Sequence, residues 1–238
     1  MNKFVFLLCP PLSGSTMIKE LFESSEAVST FYGEGQFFAE AHNIIGRGVP
    51  RWDPNLKVNW ELLKQIFFKY WNLEKPVLFE KSPPHLLRAL EIEKVFTPAY
   101  FIISIRNPYA QIEGLWRRKW MPSPTAAAEL WVLCARYQIK NLNTLKSKIF
   151  FRYEDFTDNI DLFLEKIKEF IPEVGVLNKN KAFHAHNITG KPLHGIVNLN
   201  DRKFKLLKPE VIKEVNEVFK LNEDLLKYFN YNLIEVEK

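Results

Sequence analysis

The sequence predicts an α/β fold in which helices flank a central parallel β-sheet. Apolar, strand-like runs recur between helical stretches along the chain, which is the pattern of such a fold. These runs are rich in β-branched and aromatic residues without strict alternation, as strands buried on both faces are. A tight loop with several hydroxyl groups follows the first run. We expect residues 1–238 to form a single domain.

Five apolar runs are predicted to be strands: Lys3–Leu8, Ala27–Phe31, Val77–Glu80, Tyr100–Ile105 and Lys148–Arg152. Seven segments are predicted to be helices: Thr16–Ser24, Trp60–Trp71, Pro84–Val95, Pro108–Trp120, Thr125–Leu145, Asn159–Phe170 and Pro209–Phe219. Apolar stripes at helical spacing are assigned to the core and not to cofactor contacts. Residues 173–206 are the least regular part, and we expect a lid or a binding loop there.

The formal net charge of the chain is +5, and no long basic block accompanies it. No helix-turn-helix, RNA-binding or zinc-finger signature is present, so we do not expect a nucleic-acid partner. The mild positive charge suits a pocket for an anionic cofactor. Cys9 and Cys134 lie in apolar surroundings and are expected to be buried free thiols. His184 and His186 have no acidic or cysteine partner at ligand spacing, so no metal site is predicted.

The apolar runs are too short for a membrane protein. None approaches the roughly 18 residues of a membrane-spanning helix. The run after Lys3 ends at two prolines and is too short for a signal peptide. We therefore expect a cytoplasmic protein without a membrane span.

The loop Cys9–Thr16 joins the first predicted strand to the first predicted helix. Its backbone N–H groups and the helix dipole would converge on one point, which favours a bound phosphate. An ordinary strand–turn–helix with a serine N-cap fits the segment as well. Where ATP-binding loops of the form Gly-x-x-x-x-Gly-Lys-Ser/Thr have their lysine, this chain has Ser15. The loop therefore favours a phosphate held without a metal and disfavours a magnesium-dependent kinase.

Charged or polar residues also follow the other predicted strands. Arg106 comes at the carboxyl end of the fourth strand, where it can bind a phosphate through its guanidinium or pair with a nearby carboxylate. Lys81 follows the third strand, where it can reach a transferred anionic group or pair with Glu80 at the surface. Tyr153 follows the fifth strand and can contact a purine.

Glu34 lies between two glycines in the loop after the second strand. The glycines let the backbone turn tightly beside it, and a carboxylate there can accept a proton from a hydroxyl. An exposed loop glutamate is the alternative. Three tryptophans in nearby loops can stack on a sugar or a flat ring, or can be buried: Trp52, Trp116 and Trp120.

Together these motifs resemble the sulfotransferase family that uses 3′-phosphoadenosine 5′-phosphosulfate (PAPS). The residues Pro11-Leu12-Ser13-Gly14-Ser15-Thr16 stand where the family has Pro-Arg/Lys-Ser-Gly-Thr/Ser-Thr. Arg106-Asn107-Pro108 matches a strand that ends in Arg-Asn/Asp-Pro. Glu80–Pro83 and Arg152–Phe156 resemble two further blocks, and a weaker similarity continues through 188–191 and 198–202. The resemblance implies a P-loop-like three-layer α/β/α sandwich.

The resemblance also implies roles for individual residues. The 5′-phosphosulfate would be held by the loop, that is by Pro11, Leu12, Ser13, Gly14, Ser15 and Thr16. Arg106 would hold the 3′-phosphate, with residue 114 beside it, and Tyr153 would lie near the adenine. Lys81 would lie near the sulfuryl group, and Glu34 would act as the base. The implied reaction transfers a sulfuryl group to a hydroxyl or amine of a small-molecule or carbohydrate acceptor, leaves adenosine 3′,5′-bisphosphate and needs no metal.

Two residues depart from the family pattern. Leu12 replaces the basic loop residue, and Gly114 replaces the serine that shares the 3′-phosphate. The loss of one hydrogen-bond donor to a transition state lowers the rate of an enzyme by roughly 10²–10³-fold, and we expect a similar loss in the transfer rate when this cation is missing. Four residues are candidates to replace it: Lys81, Lys191, Arg202 and Lys203. The alternatives are a weak or non-catalytic relative that binds a nucleotide or an acidic sugar, and a P-loop kinase.

Overall fold

The computed structural model describes residues 1–184 and 192–236. Its main sheet contains β1 (Lys3–Leu8), β2 (Val28–Ser29), β3 (Val77–Glu80), β4 (Ala99–Ile105) and β5 (Lys148–Arg152). The strands are all parallel and run in the order β2-β3-β1-β4-β5. The predicted α/β class with a central parallel sheet is therefore confirmed.

Ten α-helices are described: α1 (Ser15–Glu23), α2 (Trp60–Tyr70), α3 (Ala89–Val95), α4 (Pro108–Arg117), α5 (Pro124–Thr144), α6 (Tyr153–Asp158), α7 (Ile160–Phe170), α8 (Asn200–Phe204), α9 (Pro209–Lys220) and α10 (Glu223–Tyr228). Short 3-10 turns cover Gly35–Phe37, Ala39–Ala41, Pro83–Arg88 and Pro172–Val174. A second, antiparallel pair of strands consists of β6 (Ala182–Phe183) and β7 (Leu193–His194).

Each face of the sheet is covered by its own apolar core. On β1, Phe4 and Phe6 pack into one core with residues of α2, α3 and α5, whereas Val5 and Leu7 pack into the other with residues of α1 and α7. Alternate side chains of a strand point to opposite faces, so one short run serves both cores. The sheet lies between two helical layers, as predicted.

Two parts of the fold differ from the sequence-based expectation. The strand predicted over Ala27–Phe31 is reduced to Val28–Ser29, because this edge strand pairs with β3 through those two residues. The helix predicted over Pro84–Val95 begins as a 3-10 turn over Pro83–Arg88 and is α-helical over Ala89–Val95. The described part of 173–206 contains β6, β7 and α8, while residues 185–191, which include His186 and Lys191, lie outside the described residues.

The carboxyl ends of β1 and β4 form the point where the connections change direction across the sheet. The chain passes from β1 to β2 and β3 on one side and continues to β4 and β5 on the other. At this point Gln138 Nε2 donates hydrogen bonds to the carbonyls of Leu8 (2.7 Å) and Ser104 (2.8 Å). Open α/β sheets bind their ligands in the crevice beyond such a switch point.

Candidate active site

A cavity of about 480 Å³ lies at the carboxyl edge of the sheet. This is within the usual range for small-molecule sites. The segments after all five strands line it, and nine of the predicted site residues are among its lining: Pro11, Leu12, Gly14, Ser15, Thr16, Glu34, Lys81, Arg106 and Tyr153. Three do not line it: Ser13 and Gly114, which are buried, and Arg202, which is exposed on α8. The fold thus brings most of the candidates to one cavity.

The loop after β1 ends in the strained start of α1. Gly14 is the N-cap with φ +84°, and no side chain caps the helix. A Cβ on Gly14 would lie 2.6 Å from the ring of Tyr153, so only glycine lets the loop approach this ring. The buried Ser13 hydroxyl donates to the carbonyl of Pro10 and holds the turn. The uncapped N–H groups at the start of α1 are available to an anion in the cavity.

Arg106 is fixed by contacts on three sides. Its Nη1 donates to the carbonyl of Leu12 (3.0 Å), and its Nε donates to Asn200 Oδ1 (2.8 Å). The guanidinium carbon lies 3.8 Å from the ring centre of Tyr153. Burial lowers the pKa of Arg106. Its Nη2 is buried and has no partner among the described residues.

An unpartnered buried guanidinium nitrogen costs free energy unless an acceptor reaches it. Arg106 lines the cavity, so a phosphate oxygen there would supply that acceptor. This orphaned nitrogen and the glycine at the start of α1 therefore fit a phosphate group.

Lys203 of α8 places a second cation beside Arg106. Its ammonium group donates to Glu113 Oε2 (2.7 Å), and its side chain is 7% exposed. A Cβ on Gly114 would lie 2.7 Å from Lys203 Nζ and 2.9 Å from Leu12 Cδ1. Burial and the positive charge of Arg106 outweigh the contact with Glu113 and lower the pKa of Lys203 to about 8.

Glu34 and Lys81, which follow different strands, form an ion pair in the cavity wall. Lys81 Nζ donates to Glu34 Oε1, and Gln36 Nε2 donates to the other carboxylate oxygen. The Lys81 side chain is 4% exposed and that of Glu34 is 18% exposed. A carboxylate and an ammonium group are thus held together where a ligand can reach both.

Glu80 and Ser82 hold the turn that carries Glu34. Glu80 Oε1 accepts hydrogen bonds from the backbone N–H of Gly35 (2.8 Å) and from the Ser82 hydroxyl (2.6 Å). The same hydroxyl accepts from the N–H of Gln36 at 3.2 Å. Since Glu80 points into the protein while Lys81 points into the cavity, the surface pair of these neighbours that the sequence allowed does not form.

The side chain of Glu80 is buried beside His85. Burial raises the pKa of Glu80 to about 8 and lowers the pKa of His85 to about 3. Glu80 Oε2 lies 3.6 Å from His85 Nδ1, which is too far for a hydrogen bond. These two atoms and His85 Nε2 are buried and have no partner among the described residues. Both side chains are therefore neutral near pH 6.

Arginines and aromatic rings also line the cavity. Arg47 and Arg51 approach the ring of Phe37, with guanidinium carbons 5.0 and 5.6 Å from the ring centre. Arg118 lies 5.6 Å from the ring centre of Trp120. Trp52 also lines the cavity, whereas Trp116 is exposed and does not. Sequence reasoning missed these arginines, because they lie in irregular segments without a recognisable motif.

The remaining features concern membrane-spanning helices, metal-binding groups and the two cysteines. No helix described here is long and apolar enough to cross a membrane. Within residues 1–184 and 192–236, no group of three or more His, Cys, Asp and Glu side chains is arranged to hold a metal ion. Cys9 and Cys134 are buried and unpaired, as predicted, and burial raises the pKa of the Cys9 thiol to about 11.

The fold is similar to solved sulfotransferase structures. The sulfotransferase domain from the curacin biosynthetic pathway matches with a TM-score of 0.61 and 17% identity over 98% of this chain and 99% of that domain. The sulfotransferase domain of the Synechococcus PCC 7002 olefin synthase gives 0.61 and 19% over 98% and 96%. A sulfotransferase from Alicyclobacillus acidocaldarius gives 0.62 and 12% over 98% of each chain.

At these identities the similarity establishes the fold. No protein-family model matches the chain, and no curated protein sequence matches it. The protein therefore has a sulfotransferase fold, as the sequence motifs implied.

Proposed function

We propose that this protein is a PAPS-dependent sulfotransferase that modifies a hydroxyl or amine of a small molecule or carbohydrate. One observation carries the proposal. The loop Pro11–Thr16, the buried Arg106 and the Glu34–Lys81 ion pair line one cavity at the switch point of a sulfotransferase fold. The donor would be held without a metal.

The nucleotide-binding half of the site is built from the segments after β1 and β4. The N–H groups at the start of α1, together with Ser15 and Thr16, would hold the 5′-phosphosulfate. Arg106 would hold the 3′-phosphate through its unpartnered Nη2. Tyr153 lies against both the loop and Arg106, and it is almost fully buried, so it positions the guanidinium beside the nucleotide.

We assign to Lys203 the role of the basic loop residue that Leu12 replaces. Its ammonium group lies beside both positions that depart from the family pattern, Leu12 and Gly114. It also lines the cavity, whereas Arg202 does not. The serine side chain that the family has at position 114 would clash with Lys203, so glycine there is a condition for the lysine to reach the cavity.

Glu34 and Lys81 would serve the transfer itself. When bound, PAPS supplies a sulfuryl group that bonds to the acceptor oxygen as its bond to the 5′-phosphate oxygen breaks. Glu34 would take the proton of the acceptor hydroxyl, since it is the carboxylate that faces the cavity. Lys81 would neutralise the negative charge on the transferred group, as a fixed cation does in phosphoryl transfer.

Calorimetry with adenosine 3′,5′-bisphosphate tests the nucleotide site. We expect binding by the wild type and an affinity lower by roughly 10- to 100-fold in Arg106→Gln, because a charge-assisted hydrogen bond is lost. Arg136→Gln is the matched control, since Arg136 is exposed and contacts Asn222 away from the cavity. Thermal melting of both variants checks folding. No heat with the wild type, or equal affinity in folded Arg106→Gln, would rule out the site.

A binding protein without turnover is the second candidate. Both oxygens of Glu34 already accept hydrogen bonds, from Lys81 and Gln36, and Leu12 brings no charge to the loop. Transfer of labelled sulfate from PAPS to a panel of phenols and amines decides between the two. Turnover that Glu34→Gln abolishes excludes the second candidate, and nucleotide binding without any turnover supports it. Magnesium-dependent ATP turnover would indicate the kinase alternative instead.

A further inference from the structure

The cavity is also lined by two arginines, Arg47 and Arg51, that have no part in the proposed donor contacts. In the sheet order β2-β3-β1-β4-β5, the proposed donor contacts follow β1, β4 and β5, and Lys81 follows β3. Glu34, Arg47 and Arg51 all come from the segment after β2, at the opposite edge. The two arginines therefore come from the same segment as Glu34 and from the edge of the sheet opposite to β5.

Arg47 and Arg51 approach the same aromatic ring, and the nearby negative charge that acts on Arg51 is that of Glu34, which is not within salt-bridge distance. Both guanidinium groups approach the same Phe37 ring, at 5.0 and 5.6 Å, and neither forms a salt bridge with a described residue. Arg51 Nη1 is buried and has no hydrogen-bond partner among the described residues. Burial, and secondly the charge of Arg47, lower the pKa of Arg51. An anion bound between Arg47 and Arg51 would stabilise both charges and would accept a hydrogen bond from Arg51 Nη1.

The segments that carry these arginines are held in place. The buried Arg88 donates hydrogen bonds to the carbonyls of Arg51 (3.0 Å), Asp53 and Leu56 (3.3 Å). A Cβ on Gly46 would lie 2.7 Å from the carbonyl oxygen of Gln36, so the turn before Arg47 packs directly on the turn that carries Glu34. The backbone that carries Arg51 and the turn before Arg47 are thus held by neighbouring turns, which lowers the cost of ordering them around a ligand.

We propose that Arg47 and Arg51 bind an anionic group of the acceptor, a carboxylate, phosphate or sulfate, while its hydroxyl faces Glu34. The proposal rests on the proposed function, because it names the class of acceptor for the same site. The chemistry is shared by all three anions: each offers two or more oxygens to the arginine forks. Both guanidinium groups make cation–π contacts with the ring of Phe37.

The test measures binding apart from turnover. With adenosine 3′,5′-bisphosphate at saturation, ligand-observed NMR titrates 3-phenylpropionate, phenyl phosphate and phenyl sulfate against the neutral methyl 3-phenylpropionate. We expect the anions to bind at least ~10-fold more tightly than the ester, and this preference to disappear in Arg51→Met and in Arg47→Met. Arg51→Lys should keep part of it, and the exposed Arg136→Met should keep all of it.

The outcomes of this experiment distinguish a failure of this proposal from a failure of the proposed function. Equal binding of anions and ester by the nucleotide-loaded wild type overturns the proposal, and so does an anion preference that persists in both folded methionine variants. A preference seen only without nucleotide shows that the anions occupy the donor phosphate site, which also overturns it. The nucleotide affinity of the methionine variants should equal that of the wild type. If the wild type does not bind adenosine 3′,5′-bisphosphate at all, that result would instead count against the proposed function.

Turnover gives a second readout that a structural role would not produce. The hydroxyl acceptors 3-(4-hydroxyphenyl)propionate and its methyl ester differ only in charge. We expect the ratio of their kcat/KM values to favour the acid by ~10-fold in the wild type and to approach one in Arg51→Met, with the change mainly in KM. A ratio unchanged by the substitution would contradict the assignment.

Discussion

The ammonium nitrogen of Lys203 lies 2.7 Å from the point where a side chain at position 114 would begin. The same point is 2.9 Å from Leu12 Cδ1. The two departures from the family pattern are therefore neighbours in space, and the lysine end lies beside position 114. In the proposed site, glycine at this position leaves room for Lys203, whose charge would replace that of the missing loop cation.

Gly114→Ala should weaken nucleotide binding without unfolding the protein. The added methyl group displaces the flexible ends of Lys203 and Leu12, and alanine gains up to about 1 kcal/mol of helix propensity in α4, which offsets part of the strain. We expect nearly unchanged melting and a roughly 10-fold loss of affinity for adenosine 3′,5′-bisphosphate, measured by calorimetry.

The double variant Gly114→Ala/Lys203→Met separates this effect from a general disturbance. If Gly114→Ala acts by displacing the lysine, the double variant binds no worse than Lys203→Met alone. Additive losses would show that the methyl group acts on something other than Lys203.

Gly14→Ala should reduce both stability and nucleotide binding. The left-handed backbone at φ +84° costs a non-glycine residue about 1–2 kcal/mol, and the new Cβ would also meet the Tyr153 ring at 2.6 Å. Gly195→Ala is the matched control, because Gly195 has φ +77° with open space around its Cβ position. We expect Gly14→Ala to lower the free energy of unfolding by more than the control does. Equal losses in denaturant titrations would mean that the ring contact is unimportant.

Three strands were predicted to the residue, because each is a continuous apolar run that ends at a charge or a turn: Lys3–Leu8, Val77–Glu80 and Lys148–Arg152. The second strand was overestimated, since only Val28 and Ser29 pair with β3 and the sequence does not show where this pairing ends. Three short helices were not predicted: α6, α8 and α10. Helices of five or six residues contain too few turns for an apolar stripe to appear.

The strand ends indicated which residues meet at the cavity, but not how they pair. Glu34 and Lys81 are 47 positions apart, and their ion pair depends on the order of β2 and β3 in the sheet. Lys203 was one of several candidate cations, and its selection required the space at Gly114. Such long-range contacts leave no local pattern in the sequence.

The buried Glu80 should make the protein less stable as pH rises. The folded pKa of about 8 lies above the ordinary value of 4.5, so the folded state retains a proton that the unfolded state loses. Its stabilising effect is full below pH 4.5 and is lost as pH rises toward 8. His85 acts in the opposite sense, with a folded pKa of about 3 against an ordinary 6.5, and it destabilises the fold as pH falls below 6.5.

Between pH 6.5 and 8 the effect of Glu80 is therefore not opposed by His85. We expect the free energy of unfolding, measured by urea titration, to fall across this window by about 1 kcal/mol or more in the wild type. Glu80→Gln removes the titrating group and should flatten the profile there, whereas His85→Leu should leave the slope unchanged. A wild-type profile that is flat from pH 6.5 to 8 would contradict a raised pKa for Glu80.

Nucleotide affinity should depend on the charge of Lys203 above pH 8. The pKa of Lys203 is about 8, so at higher pH the lysine must take up a proton before it can pair with a phosphate. Calorimetry between pH 8 and 9.5 should show affinity falling by up to about tenfold per pH unit in the wild type. Lys203→Met should bind weakly with no such slope. Parallel profiles for the two proteins would assign the slope to another group.

The position of each strand in the sheet also predicts how fast the backbone amides on the two sides of the cavity exchange with solvent. β1, which carries the donor loop, is flanked by β3 and β4, whereas β2 is a two-residue edge strand that precedes the acceptor wall. Amide protons of Val5–Leu8 should exchange with deuterium only on global unfolding, and those of residues 30–40 through local fluctuations. The donor half of the proposed site would then rest on the most stable part of the sheet, and the proposed acceptor half on its edge.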